Sequence, residues 1–125
     1  MCDSDTIPVF INFSNHPSDK WGSAQLNAAA AIGKIVDIPF PVIEPLASHA
    51  DVLELAEQCV CHVLDMACGH DATVHIMGEM TLTYHIVRLL TEHGIPCVAS
   101  TTERLVTEVD GKKVSEFRFV QFRRY

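Results

Sequence analysis

The chain is short of basic residues and of long apolar runs, and each shortage narrows what the protein can be. Its 125 residues carry 9 lysines and arginines against 16 aspartates and glutamates, and the net charge of −7 argues against direct binding of duplex nucleic acid. No apolar run approaches the roughly 20 residues that cross a bilayer. The acidic residues 1–5 do not resemble a signal peptide. We therefore expect a soluble, cytoplasmic protein that contacts no membrane.

The sequence also has few cysteines, and the five present are an odd number, so they cannot all be paired with one another. Without a secretion signal, this count argues against a disulfide framework. Four neighbouring residues have the composition of metal ligands: Cys61, His62, Cys68 and His70. They fall late in a predicted helix, however, and no second pair has zinc-finger spacing. The sequence therefore predicts neither a bound metal nor a cofactor.

Several catalytic signatures are absent. No Gly-x-Gly-x-x-Gly follows the first predicted strand and there is no Walker lysine motif, which argues against a dinucleotide-binding or P-loop enzyme. No nucleophile elbow marks a Ser-His-Asp or Cys-His arrangement. Any chemistry must therefore come from less common residue patterns.

What the sequence does contain is a regular alternation of strand and helix patterns. Strands are predicted over 7–13, 35–39, 72–77 and 96–100, with helices between them that end near 32, 67 and 93. A hairpin of 104–109 and 113–122 is predicted around Asp110-Gly111. The order βαβαβαβ plus a hairpin predicts one α/β domain over 7–125, preceded by a flexible tail over 1–6. This is a Rossmann-like domain, a parallel sheet sandwiched by helices with a C-terminal antiparallel β-hairpin.

Local signals support this assignment. Ser48 with Asp51 predicts a capping box, and an apolar stripe follows it at helical spacing. In the last strand, simple alternation places Phe117 and Phe119 on one face and Phe122 on the other. His75 and Trp21 are interpreted as a satisfied or surface histidine and a core or interface tryptophan. The alternative for Trp21 is a base-stacking platform.

The most informative stretch is the junction at 74–81, which predicts a strand, a turn at Gly78 and the start of a helix. A glycine there lets the backbone approach a ligand closely, and the free N–H groups of the helix suit an anion. In parallel α/β sheets, ligands bind beyond the carboxyl ends of the strands. Four loops should therefore converge, at 12–18, 40–45, 78–81 and 100–104.

These loops supply the candidate site. Its ligand-binding residues offer amides, hydroxyls or main-chain N–H groups at the predicted edge, and they are Asn12, Ser14, Asn15, Gly78, Met80, Thr81, Ser100, Thr101, Thr102 and Arg104. His16 and Glu79 are the candidate catalytic residues, as general acid or base. For each residue alone, a turn or a helix cap is the alternative. For the loops jointly, we favour a ligand site.

The C-terminal segment 104–125 holds six bases and three acids, unlike the acidic remainder. Such a patch can meet a small anion or an acidic surface. A hairpin edge protected by charge is the alternative.

Five segments carry a resemblance to a known family. They are Ile11 to Pro17, Ile35 to Pro41, His75 to Thr81, Ala99 to Arg104 and Phe119 to Arg123. The chain resembles a small bacterial family labelled CRISPR-associated protein, and it is similar in layout to stand-alone CARF domains. The resemblance implies a role in antiviral defence and a homodimer that binds a cyclic oligoadenylate. It places Ser14, Asn15, Gly78, Glu79 and Thr81 along the ligand cleft, with Glu79 standing where the usual CARF turn carries a basic residue.

The leading hypothesis is thus a CARF-like, nucleotide-binding homodimer. It could also be a metal-independent ring nuclease, in which the ribose 2′-hydroxyl is held in line with its phosphate and His16 or Glu79 helps proton transfer. The alternatives are a protein–protein interaction module that uses the basic hairpin, and a small enzyme for another phosphate or nucleoside substrate.

Overall fold

The computed structural model describes residues 7–125, so the tail predicted over residues 1–6 lies outside the described part. Five strands and three α-helices are found there, with one 3₁₀ turn at Ser18–Lys20. In chain order they are β1 (Pro8–Ser14), α1 (Ser23–Ile32), β2 (Lys34–Pro39), α2 (His49–Ala67), β3 (Asp71–Met77), α3 (Met80–Glu92), β4 (Cys97–Val109) and β5 (Lys112–Arg124). The predicted alternation of strands and helices is confirmed.

All five strands form one sheet in the order β2-β1-β3-β4-β5. The first four run parallel, and β5 is antiparallel to β4. The prediction of a largely parallel α/β sheet with an antiparallel C-terminal pair is confirmed. A Rossmann strand order is not found, because β1 lies between β2 and β3 as in flavodoxin-like sheets. The sequence pattern could not show this, since the order depends on the side to which each crossover returns.

Helices cover both faces of the sheet. On one face α1 packs through Ala29 against Phe10 of β1 and Val98 of β4. On the other face α2 and α3 bury a larger cluster that includes Val63 and Ile86. Successive residues of the central strands pack alternately against the helices on one face and on the other, as expected for a sheet buried on both sides.

Local signals on α2 behave as predicted. The Ser48 side chain accepts from the Asp51 main-chain N–H, and the Asp51 carboxylate accepts from the Ser48 N–H, which completes the capping box. The buried side of α2 is the predicted stripe. None of the helices in residues 7–125 is long and apolar enough to cross a membrane.

The fourth parallel strand and the first hairpin strand are one continuous element, and their prediction as separate strands was wrong. Threonines at 101 and 102 favour extended backbone and supply no break. Parallel pairing of β4 with β3 involves only Cys97 and Val98, opposite Val74 and His75. Beyond that point β4 and β5 pair only with each other. We call residues 102–119 the hairpin arm.

The arm ends in the predicted turn, where Asp110 (φ 53°) and Gly111 (φ 79°) both adopt left-handed backbone. At its base the register shifts, since Thr101 faces Gln121 but Thr102 faces Phe119, which makes Val120 an extra residue. This bulge brings Phe122 to the same face as Phe119, with ring centroids 4.9 Å apart. The prediction that Phe122 lies on the opposite face was therefore wrong, because the bulge resets the alternation.

Candidate functional site

The switch in strand order falls between β1 and β3, which end at Ser14 and Met77. The main-chain N–H of Asn15 donates to the Met77 carbonyl (3.3 Å), so the two strand ends are tied together. The segment after β1 then folds over the α1 side of the sheet, where the Trp21 indole N–H donates to the His16 carbonyl (3.1 Å). These bonds fix the turn on which Asn15 and His16 sit.

A hydrogen-bond chain runs from the exposed carboxylate of Asp37 through the buried side chain of Asn12. Its amide nitrogen donates to Asp37 Oδ1 (2.8 Å), and its amide oxygen accepts from the Ser14 hydroxyl (2.7 Å). Asp37 also accepts from Ser18, through the main-chain N–H (3.2 Å) and the hydroxyl (2.6 Å). Burial would raise the pKa of Asp37, but the hydrogen bonds from Ser18 and Asn12 hold that pKa below its ordinary value. Asp37 is thus an ionised acceptor that fixes the orientation of the Asn12 amide.

The chain ends on His75, whose side chain is buried in the middle of the sheet. Its Nδ1 lies 2.9 Å from the Asn12 amide oxygen. That oxygen carries no proton, so Nδ1 must be the protonated donor, and Nε2 is left with a lone pair and no partner. Burial is the main reason that the pKa of His75 is lowered to about 4, and the nearby His16 adds a smaller effect in the same direction. His75 is therefore neutral at physiological pH, in a tautomer set by Asn12 and Asp37.

Aromatic rings surround this histidine. Phe10 stacks on it with centroids 6.1 Å apart, and Trp21 and Phe122 meet it edge-on at 5.5 and 5.3 Å. The surroundings explain why the charged imidazolium is disfavoured. Trp21 is a core residue here, as one interpretation predicted.

Next to His75 lies a cavity of about 310 Å³ on the α1 side, which we call the polar cavity. It is enclosed by the turn after β1, the start of α1, the end of β3 and the base of the hairpin arm. Its lining residues are Ser14, Asn15, His16, Gln25, His75, Met77, Ser100, Thr102, Phe117 and Phe119. Hydroxyls, amides and imidazoles thus face two phenylalanine rings, with no carboxylate in the lining.

Other candidate residues line a different space. Gly78 and Met80 border an apolar cavity of about 420 Å³ on the α3 side, together with Thr83, Tyr84 and Tyr125. Asn12 borders a third cavity of about 290 Å³ near Asp37 and Pro39. The predicted convergence is therefore divided, since Ser14, Asn15, His16, Ser100 and Thr102 meet at the polar cavity while Gly78 and Met80 do not.

The junction at Gly78 is occupied by the protein's own side chains. A Cβ on Gly78 would lie 2.5 Å from the ring of Phe40, so the glycine makes room for this phenylalanine. Glu79 caps α3, accepting from the main-chain N–H groups of Thr81 (3.0 Å) and Leu82 (2.9 Å) and from the Thr81 hydroxyl (2.6 Å). These hydrogen bonds lower the pKa of Glu79, and the bond from the Thr81 hydroxyl has the largest effect. The first-turn amides that could hold an external anion thus bind an internal carboxylate.

The remaining candidates make local contacts. The Thr101 hydroxyl donates to the Gln121 carbonyl (3.2 Å), and Arg104 donates to the Ser115 hydroxyl on the arm (3.0 Å from Nη2). Within residues 7–125, no three His, Cys, Asp or Glu side chains are grouped as metal ligands would be. Cys61, His62, Cys68 and His70 therefore form no such centre.

Sequence reasoning missed the residues that give the polar cavity its floor and walls. His75 is neither at the surface nor fully satisfied, and Gln25 and Phe117 were not assigned to the site. One signal was available, because a histidine between Val74 and Ile76 in a largely apolar strand has to be paired or functional. Its partner Asn12 is 63 residues away in the chain, and only the pairing of β1 with β3 brings the two together.

The fold and the site define a class: a single α/β domain with a flavodoxin-like strand order, an antiparallel last strand and a polar cavity at the carboxyl edge of its sheet. Residues 8–123 match the model of the family described as Uncharacterized protein MJ1673 family, and the chain therefore belongs to that family. No curated protein matches the chain significantly.

Proposed function

We propose that this protein is a CARF-like, CRISPR-associated accessory protein that binds a nucleotide in the polar cavity, with a cyclic oligoadenylate as the ligand and a homodimer as the binding form. One observation carries the proposal: five residues predicted for the site from separate loops line one cavity with two aromatic rings. Ligand sites commonly combine an apolar wall with a few polar groups in this way.

The chemistry of the cavity suits a nucleobase. Phe117 is 67% exposed and Phe119 is half-buried beside it, so a planar base has a ring face on which to stack. The Thr102 hydroxyl and the Gln25 amide offer donors and acceptors to the base edge. The Ser100 hydroxyl donates to the Met77 sulfur (2.9 Å) and offers its acceptor lone pairs. Adenine, which has ring-nitrogen acceptors and an exocyclic amino donor, matches this set.

The phosphate groups need a different environment. The first-turn amides of α3 are taken by Glu79, which leaves the turn at Asn15 and His16 as the polar entrance. His16 can bond a phosphate through its imidazole, because the bonds that hold the turn use its main-chain carbonyl and N–H. Its side chain is therefore free to meet a ligand without loosening the turn.

Calorimetric titration with cyclic tetra-adenylate and cyclic hexa-adenylate tests the proposal. Wild type should bind one of them. His16→Ala and Asn15→Ala should each weaken binding about tenfold or more, because each variant loses one hydrogen bond to the ligand. Tyr84→Ala is the matched control, since Tyr84 is 63% exposed and lines only the apolar cavity. Absence of binding at high micromolar ligand, or equal weakening by Tyr84→Ala, contradicts the proposal.

Ring-nuclease activity is the further part of this proposal. Glu79 is an ionised helix cap and is not among the lining residues of the polar cavity, so His16 is the better candidate for proton transfer. Incubation with cyclic tetra-adenylate followed by chromatography should show linear products from wild type and none from His16→Ala. Unchanged ligand in the presence of tight binding rejects cleavage and leaves a receptor. If neither cyclic ligand binds, profiling of other nucleoside and phosphate substrates tests the alternative of a small enzyme.

An interaction module is the second candidate function, and the hairpin arm favours it. Away from the residues that line the polar cavity, the arm exposes Val106, Val109 and Val114. Exposed apolar surface of this kind marks contact sites. This function would be supported over nucleotide binding if a partner protein is still captured by the Asn15→Ala variant. The variant with Arg118, Arg123 and Arg124 all substituted should not capture it.

A further inference from the structure

The strand β5 has a free outer edge. It is the last strand of the sheet, and within residues 7–125 it pairs only with β4. Alternate residues along this thirteen-residue strand thus present unpaired main-chain N–H and C=O groups on that side, and Phe117 and Val120 are more than half exposed. A long exposed edge is a template for another strand, and an isolated two-stranded ribbon is marginal in water. A strand added at this edge would therefore stabilise the hairpin arm.

The sequence of β5 is complementary to itself when reversed about Phe117. In an antiparallel pairing of two copies centred there, Glu116 lies opposite Arg118 of the second copy, and the same pair recurs on the other side of the two-fold axis. Val114 faces Val120, and Phe117 faces Phe117. Opposite charges and apolar pairs are the cross-strand combinations that stabilise antiparallel strands. The Glu116–Arg118 and Phe117–Phe117 pairs lie on the regular part of β5, where paired residues share one face of the sheet, and Val120 lies at the bulge that bounds this part.

Neighbouring registers are poorer. Centring on Glu116 places Val114 opposite Arg118, and centring on Arg118 places Lys113 opposite Arg123, which is a like-charge pair. Within the described chain, neither Glu116 nor Arg118 forms a salt bridge, although both are exposed. Their charges are therefore available to a partner in one register.

We propose that two copies of this chain associate through β5, antiparallel and centred on Phe117, to form one continuous ten-stranded sheet. Two-fold pairing of this kind closes the open edge in both copies. Phe117 and Phe119 line the polar cavity, so the two cavities come to lie on the same face of the joined sheet, on either side of the Phe117 pair. That last consequence, two sites facing one ligand of two-fold symmetry, rests on the proposed function, whereas the strand pairing does not.

A charge-swap experiment without any nucleotide tests the pairing. The oligomeric state of the full chain is measured by sedimentation equilibrium for wild type, Glu116→Arg, Arg118→Glu and the double variant. Wild type should dimerise. Each single variant places like charges opposite each other twice and should raise the dissociation constant about tenfold or more. The double variant restores opposite charges between copies and should recover the dimer.

The controls separate this effect from damage to the arm. Arg118→Glu also faces Glu103 across the hairpin, and the double variant keeps that unfavourable contact, so recovery can only come from the second copy. Glu108→Arg imposes the same stress, opposite Lys113, but lies on β4 away from the free edge, and it should leave the dimer intact. Circular dichroism confirms that each variant is folded.

A wild type that stays monomeric at millimolar concentration overturns the proposal, as does a double variant that remains as weak as the singles. Nucleotide binding by such a monomer would leave nucleotide binding standing and remove only the homodimer from the proposed function. A dimer that binds no nucleotide would leave the pairing standing. The two ideas therefore fail separately.

Discussion

At the scale of single residues, the chain from Asp37 through Asn12 to His75 determines the chemistry of the cavity floor. The Asp37 carboxylate orients the Asn12 amide, and the amide oxygen determines which ring nitrogen of His75 carries the proton. The result is a neutral histidine at a position where a charged one would repel the nearby His16. Buried polar networks of this type fix one arrangement when their members are satisfied, and the unpartnered Nε2 is the one open position.

The low pKa of His75 predicts acid sensitivity. A pKa of about 4 in the folded protein, against about 6.5 unfolded, means that only the unfolded chain takes up a proton between these values. Stability from this group is therefore complete above pH 6.5 and declines as the pH falls towards 4, by about 3 kcal/mol at most. Urea unfolding of wild type and His75→Gln at pH 7 and pH 5 measures the difference. The loss between the two pH values should be smaller in His75→Gln and unchanged in the control His62→Ala, which alters an exposed histidine. An equal loss in all three proteins would contradict the assignment.

At the scale of elements, the turn between β3 and α3 serves packing and capping in place of the ligand contact predicted from its glycine. Gly78 is not among the glycines with positive φ, so only the close approach of Phe40 opposes a side chain there. Gly78→Ala should therefore lower the free energy of unfolding by about 1–3 kcal/mol, the usual cost of overpacking. The cost should fall by more than half in a Phe40→Ala background, which a double-mutant cycle of urea unfolding measures. Gly22→Ala is the control for steric overlap, because a Cβ there meets no atom within 4 Å, and its cost at the N-cap of α1 should be the same in both backgrounds. Equal costs in both backgrounds would show that Phe40 is not the reason for the glycine.

At the scale of the whole molecule, the arm extends past the sheet that anchors it, and its stability then depends on what covers it. Pairing through β5 links unfolding to association, so the thermal midpoint of wild type should rise with protein concentration. Arg118→Glu should unfold at a midpoint that is nearly independent of concentration over the same range, and the double charge swap should regain the dependence. Scanning calorimetry from ten micromolar to one millimolar protein provides the measurement. A thermal midpoint of wild type that does not change with protein concentration would contradict association of the folded chain through β5.

The sequence by itself determined the features that depend on near neighbours. The capping box at Ser48 and Asp51, the buried stripe of α2 and the Asp110-Gly111 turn were all predictable, because their signals lie within a few residues of one another. The alternation of strands and helices followed from the same local periodicities. Tertiary structure alone decided the strand order, the continuity of β4 into the arm and the bulge at Val120 that moved Phe122. It also decided that Phe40 fills the space at Gly78 and that Asn12 holds His75, since these contacts join residues 38 and 63 positions apart and no local pattern encodes which distant segments meet.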